Sequence, residues 1–247
     1  MIAMYNDSER GYLMRWFYKF KQKCEKNTIP NLAMFITFCM AAGLILVLRE
    51  DGINLYLRYL AFIPSEVLRG QIWRIFSAII FPPALNSIFF MALSIFFFYS
   101  FATDVERGMG QFEFNVYFFG SLLIGEIGCL IGYWVTGFDN VFSPAFAVFS
   151  VFMAYAILYP ENQIMIMYIL PVKAKYAGLM EAGIYIYMFI TGDLYSRIYV
   201  AAALLPVIIF YMIAHRDDYI GGNPISNLKF RMNQKKRQKE WEDNFKA

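Results

Sequence analysis

Few residues in this chain could do chemistry, and most of them sit in apolar surroundings. Glu126 and Glu181 are carboxylates inside long apolar runs. A charge is costly there, so either could carry a proton or line an ion path. The plainer alternative is a protonated or hydrogen-bonded group inside a helix bundle, and it is the favoured one. Ser143 and Ser150 carry hydroxyls within another apolar run. A serine nucleophile needs a base within hydrogen-bond reach, and the single histidine, His215, lies beyond the last apolar segment. Nothing in the spacing places these groups together. One histidine also excludes most His-based metal sites and relays. Cys24, Cys39 and Cys129 have no metal-ligand spacing, and an odd count is no disulfide framework. They read as small packing residues. No Gly-rich phosphate loop is present, so neither a cofactor nor a metal is expected.

The elements that must position these groups are membrane helices. Of the 247 residues, 59% are hydrophobic and 17% charged, with mean hydropathy +0.45. A soluble domain of this size is far more polar. The expected fold class is an all-α integral membrane protein with six transmembrane helices. The apolar runs predict spans at Asn31–Leu48, Asn86–Ala102, Phe112–Thr136, Phe142–Leu158, Tyr176–Thr191 and Tyr199–Ala214, the last interrupted by Pro206. Polar turns are expected at Thr103–Gln111 and Gly137–Val141, and another turn at Gly192–Ile198. Ile164–Leu170 is too short to cross and is expected along the interface. Residues 49–85 mix arginines, apolar residues and three prolines, and predict a structured, hairpin-like insertion at the interface. No cleavable leader is expected, because a long polar and amphipathic stretch precedes the first apolar run, which lacks a small-residue cleavage site.

Three domains follow: a basic amphipathic tail over 1–30, a six-helix membrane domain over 31–214, and a basic tail over 215–247. With both termini cytoplasmic, all but five of the 22 lysines and arginines lie inside. The five are Arg49, Arg58, Arg69, Arg74 and Arg197, as the positive-inside rule asks. Leu13, Trp16, Phe17 and Phe20 line one face of the first tail, opposite Arg15, Lys19 and Lys23. The second tail carries Lys235-Lys236-Arg237 without repeated aromatic interleaving. Both tails are expected to meet anionic lipid headgroups, and no nucleic acid.

Small residues recur at Ser121, Gly125, Gly128 and Gly132 in the third span. A second set, Ser143, Ala147, Ser150 and Ala154, lines the fourth. Lipid supplies no hydrophobic drive between helices, so close backbone approach along small stripes is the expected contact. The two spans are predicted to pack stripe to stripe, with the short fourth span central. In the insertion, Arg74 offers five donors and can tie carbonyls together, while Trp73 suits headgroup depth.

Four stretches together resemble the rhomboid-like membrane superfamily, which includes intramembrane serine proteases and inactive relatives such as derlins. Pro64 followed by Gly70-Gln71-Ile72-Trp73-Arg74-Ile75-Phe76 is similar to the Trp-Arg motif of the first external loop. Val105-Glu106-Arg107-Gly108-Met109-Gly110 is similar to the turn after the second span. The spacing from the fourth span to Tyr159-Pro160 resembles the catalytic helix and its exit. Pro171-Val172-Lys173-Ala174-Lys175-Tyr176 resembles the lead into the fifth span. The likeness covers roughly residues 55 to 214.

The resemblance implies a six-helix bundle with an emptied active site. Counting back from Pro160, the proteases' Gly-x-Ser-Gly falls on Ser143, Pro144, Ala145 and Phe146, so Ala145 stands at the nucleophile position. A methyl group cannot attack a carbonyl. The oxyanion-assisting His and Asn positions fall on Phe90 and Ser94, and Phe90 has no donor to offer. The sixth span has no histidine, and its small-residue packing motif is at best partly replaced by Ala201-Ala202-Ala203. Inactive relatives imply a non-catalytic function: binding transmembrane segments of client proteins and affecting their stability or traffic. The alternatives are a transporter or proton-coupled carrier using Glu126 and Glu181 and, last, a divergent protease. A bacterial plasma membrane is the expected location.

Overall fold

The computed structural model describes residues 28–49, 51–80, 88–166 and 170–219. The predicted tail contacts with lipid headgroups, Cys24 and the side chain of His215 lie outside the described residues. The chain divides after Pro206 into two compact units, and 207–219, the described part of the second, continues a helix begun in the first.

Helix α1 spans Leu32–Val47. Asn31, at φ 52°, turns the chain into it without a side-chain cap of its own. The exposed N–H groups of a helix start need acceptors. Here the Glu106 carboxylate supplies them, accepting from Leu32 N at 2.9 Å and Ala33 N at 3.1 Å. Asn115 clasps the residue before the turn, accepting from Ile29 N and donating to Ile29 O, both at 3.2 Å.

The predicted hairpin-like insertion is instead a run of short helices: α2 Gly52–Tyr59, α3 Pro64–Leu68, α4 Arg74–Ser77 and a 3₁₀ turn over Ala78–Ile80. At the α1–α2 corner a Cβ on Gly52 would sit 1.8 Å from the Leu46 carbonyl oxygen, so only glycine fits.

Helix α5 runs Ile88–Met109 and corrects the expected turn at Thr103–Gln111. Its polar end is anchored rather than solvated. Glu106 caps α1, Val105 is fully buried, and the Asp104 carbonyl accepts from the Tyr159 hydroxyl at 3.2 Å. Only Gly110, at φ 106°, separates α5 from α6, Gln111–Thr136. Gly137, at φ 74°, ends α6. Helix α7 spans Ala145–Leu158 and packs against α5 and α6 and against α8, Ala174–Thr191. More than half of its residues are buried, which makes it the central helix of the first unit.

Between α7 and α8 the segment expected along the interface is an antiparallel ribbon, β1 Gln163–Ile166 with β2 Leu170–Lys173. Pro171 has no N–H for a helix, and the Ile and Val side chains favour a pleated strand. Helix α9, Leu194–Tyr219, begins within the predicted Gly192–Ile198 turn. Asp193 caps it, accepting from Ser196 N at 3.2 Å and Ser196 Oγ at 2.5 Å, and these bonds hold its carboxyl below the usual range.

Among the described residues, three helices are long and apolar enough to cross a membrane: α5, α6 and Leu194–Met212 of α9. Helices α1 and α7 are apolar but shorter. The chain is therefore mainly helical, with a membrane-embedded character.

The stripe-to-stripe expectation needs correction. A Cβ on Gly125 would meet Phe142 at 2.8 Å and Phe146 at 3.5 Å, beside the start of α7. Gly128 and Gly132 instead face α9, where added Cβ atoms would lie 2.3 Å from Ala202 and 2.8 Å from the Tyr195 ring. One stripe on α6 thus serves two neighbours. On α7, Ala147, Ser150 and Ala154 are fully buried while Ser143 is half-buried. Gly178 of α8 comes close to α7 as well, and its Cβ would lie 2.8 Å from Ala156.

Candidate functional site

Ala145 opens α7, half-buried, at the position where the resemblance expects a nucleophile. Its N–H donates to the Ser143 hydroxyl at 3.3 Å, so Ser143 acts as a local cap beside the helix start. Aromatic rings crowd this helix end. Phe146 packs on Tyr199 with centroids 3.6 Å apart, and Tyr199 stacks on Tyr195 at 5.9 Å. From α8, Tyr185 stacks on Phe149 at 3.9 Å and lies 6.5 Å from Phe146. Tyr199 of α9 therefore packs against the start of α7, with Tyr195 stacked behind it.

On α5, Phe90 is 45% exposed and meets Phe89 edge to face. The Ser94 hydroxyl donates to the Met91 carbonyl of its own helix at 2.8 Å. Neither residue presents a free donor to Ala145. The structure thus brings Ser143 and Ala145 together at a helix end lined by aromatic rings.

The insertion is organised around Arg74, which is 2% exposed. Its guanidinium donates to the carbonyls of Leu57 (3.2 Å), Arg58 (2.5 Å) and Ala61 (2.5 Å), and to Gln71 Oε1 (2.8 Å). Leu57 and Arg58 belong to the last turn of α2 and Ala61 follows just beyond it, where a helix leaves acceptors without partners. Neighbours complete the set. Trp73 Nε1 donates to Tyr59 O at 3.0 Å and Ser77 Oγ to Leu60 O at 2.7 Å. Gln71 in turn donates to Glu66 at 2.6 Å, and Arg69 pairs with Glu66 at 2.5 Å.

This clamp reaches α7. Asp139, after α6, accepts from both the backbone N–H and the hydroxyl of Ser65 in α3. Phe142 N donates to Phe62 O at 2.9 Å, and the two rings meet edge to face at 5.8 Å. The insertion is therefore fastened three residues before Ala145. At the other end of α7, Gly108 of α5 lies under the Tyr159 ring, where a Cβ would come 2.5 Å from the hydroxyl. Glu106 and Gly110 act in the α5–α6 corner; Arg107 is exposed there.

Glu126 is 2% exposed, and its Oε1 has no hydrogen-bond partner. The Ser150 hydroxyl is likewise buried and unpartnered, while its carbonyl accepts from the Tyr117 hydroxyl at 2.6 Å. Glu181 is half-buried on α8. Cys129 lies 3.3 Å from the Tyr195 hydroxyl. No group of three or more His, Cys, Asp or Glu side chains suited to a metal occurs among the described residues.

Sequence reasoning missed the Asp139–Ser65 tie and the tyrosines of the aromatic cluster. Tyr195 and Tyr199 at i, i+4 were a readable signal for a shared helix face; the distant Asp139–Ser65 pair left none. No protein-family description matches the chain, and neither a curated protein nor a solved structure matches it.

Proposed function

We propose that this chain is a catalytically inactive, rhomboid-like membrane protein that binds transmembrane segments of client proteins and affects their stability or traffic. In this reading α1, α5, α6, α7, α8 and α9 are six spans, both termini are cytoplasmic, and the membrane is a bacterial plasma membrane. The observation that carries it is the start of α7. Ala145 stands there without a hydroxyl, and its neighbour Phe146 packs with Tyr185 and Tyr199, on which Tyr195 stacks. Acyl transfer needs a nucleophile, a base and a donor for the oxyanion, and Ala145, Tyr199 and Phe90 supply none of these roles. The surrounding scaffold is nevertheless held by the Arg74 clamp and the Glu106 cap.

Two experiments test this. A serine-hydrolase activity probe is expected to leave the protein unlabelled; labelling lost in Ser143→Ala or Ser150→Ala overturns the inactive reading. Affinity capture from native membranes in mild detergent is expected to retain specific membrane proteins, and to lose them in folded Ala145→Leu protein. No specific partner, with the protein intact, removes client binding.

A second reading has one observation behind it: the buried, unpartnered Oε1 of Glu126. A proton-coupled carrier using Glu126 and Glu181 predicts pH-gradient-driven flux in reconstituted vesicles that vanishes in Glu126→Gln. Absence of flux over a broad substrate panel counts against it.

A further inference from the structure

The insertion between α1 and α5 satisfies its main-chain acceptors to an extent that a loop in water does not need. Every carbonyl from Leu57 to Ile63 has a donor inside the protein. Arg74 serves Leu57, Arg58 and Ala61, Trp73 Nε1 serves Tyr59, and Ser77 Oγ serves Leu60. Phe142 N donates to Phe62 O at 2.9 Å, and Glu66 N and Val67 N donate to Ile63 O at 3.1 and 3.0 Å. The carbonyls of residues 71 to 74 are likewise taken by N–H groups of the turn that follows them. In water such acceptors can be left to solvent; in hydrocarbon they cannot.

The side chains outside this closed backbone are apolar. Ile72, Trp73 and Phe76 are 66%, 52% and 73% exposed. Their spacings of three and four put them on one side of the helical turn through α4, with Arg74 buried behind them. Next to Trp73, Tyr59 is exposed and carries the Arg58 guanidinium 5.5 Å over its ring. The exposed polar groups, the Arg69–Glu66 pair and the Ser65–Asp139 tie, belong to α3 and the turns beside it. The insertion also sits at the depth of a helix end, because Tyr56 and Ala61 pack with Leu46 and Val47 in the last turn of α1. Tryptophan and a ring-stacked arginine suit the boundary between headgroups and acyl chains, and exposed Ile72 and Phe76 suit the chains themselves. A protein partner could bring hydrogen-bonding groups of its own. Lipid tails bring none, so they are the cover that requires a backbone closed in this way.

We propose that the insertion is immersed in the leaflet next to the turn between α6 and α7, with Ile72, Trp73 and Phe76 among the acyl chains and Arg58 and Arg69 at the headgroups. This seat is deeper than the interfacial one expected from the sequence. The inference rests on the reading of α1 and α6 as membrane spans and is independent of client binding.

The test uses the full chain in phosphatidylcholine–phosphatidylglycerol vesicles, with tryptophan emission as the readout. Trp16, Trp134 and Trp241 are replaced by phenylalanine, which leaves Trp73 as the sole tryptophan. A reference protein has Trp73 replaced as well and carries Leu123→Trp; Leu123 is exposed midway along α6. Phosphatidylcholine brominated on its acyl chains is expected to remove most of the emission of both proteins, and aqueous iodide little of either. If iodide quenches Trp73 and the brominated lipid does not, while the reference stays lipid-quenched, immersion is overturned and the span reading of α6 stands. If neither quencher reaches Trp73, protein covers this face, and lipid immersion is overturned in favour of a client or a second copy. If the reference also escapes the brominated lipid, both readings fall. Should the tryptophan variants misfold, the unaltered chain is photolabelled with a phosphatidylcholine carrying a diazirine in its acyl chain. Adducts are then expected on the peptide containing residues 72–76, and labelling of α6 without labelling of that peptide overturns the proposal.

Discussion

Replacing Arg74 by alanine tests whether the insertion is held by one buried cation. The side chain is 2% exposed and donates to three main-chain carbonyls and to Gln71. Truncation leaves the acceptors of Leu57, Arg58 and Ala61 without this donor. A buried polar group left unsatisfied costs about 1–3 kcal/mol. Three such groups set a ceiling of about 9 kcal/mol, and sites sharing one partner do not add. A loss of about 3–5 kcal/mol is therefore expected, well above the cost of about 1 kcal/mol for removing a single neutral bond, as in Trp73→Phe or Ser77→Ala. Arg74→Lys keeps the charge but not the planar fork, and should recover less than half of the loss. Equilibrium unfolding in detergent gives the energies. Limited trypsin digestion locates the damage, since Arg58 and Arg69 are exposed in the insertion and should become early cleavage sites. If Arg74→Ala unfolds within about 0.5 kcal/mol of the native protein, as ordinary surface changes do, the clamp does not hold the insertion and the argument fails.

Glu106→Ala removes the acceptor for the first N–H groups of α1, and about 1–2 kcal/mol should be lost in the same unfolding assay; no change would mean that α1 is capped otherwise. Gly128→Leu drives a side chain into Ala202, and overpacking should cost about 1–3 kcal/mol; a neutral result would mean that α6 and α9 do not approach there. The two lysines beside Glu161 lower its carboxyl to about 2 from an ordinary 4.5. Because the folded value is depressed, the contribution is present above pH 4.5 and is lost as pH falls toward 2. Amide exchange in the ribbon should therefore quicken over that window in the native protein and not in Glu161→Gln; equal pH profiles would remove the ion triad from the account.

Helix positions were largely legible because long apolar runs leave the backbone little alternative. All six segments read as apolar from the sequence contain a helix of 14 residues or more. The ends were less legible, and the reason is particular. Asp104, Glu106 and Arg107 look like a solvated turn because charge ordinarily marks water. Glu106 is instead buried, since α1 presents N–H groups to it from 74 residues away. Local sequence carries no trace of so distant a partner. The ribbon was ambiguous for another reason: a short apolar run fits strand or helix equally until its partner strand is known.

The site shows the same division between chemistry and partners. What Arg74 could do was readable from its donors alone, because a buried guanidinium must find acceptors nearby. The carbonyls it found lie at and just beyond the end of a helix the sequence did not announce, eight residues over Gly52–Tyr59. The α6 stripe likewise advertised close approach without naming the neighbour. Gly125 meets Phe142 and Phe146, while Gly128 and Gly132 meet α9. A helix inside a bundle has more than one neighbour, so spacing fixes which residues are small before it fixes whom they touch. That limit bears directly on the position of Ala145. The missing hydroxyl could be read from residue type. That its neighbour Phe146 joins a cluster with Tyr185, Tyr195 and Tyr199 depends on three helices meeting. On the inactive reading, a serine there would add one atom and no mechanism: Ala145→Ser should remain unlabelled by a serine-hydrolase probe, because a hydroxyl needs a base beside it to become a nucleophile. Labelling of that single variant would place an unrecognised base beside α7 and undo the inactive reading at its root.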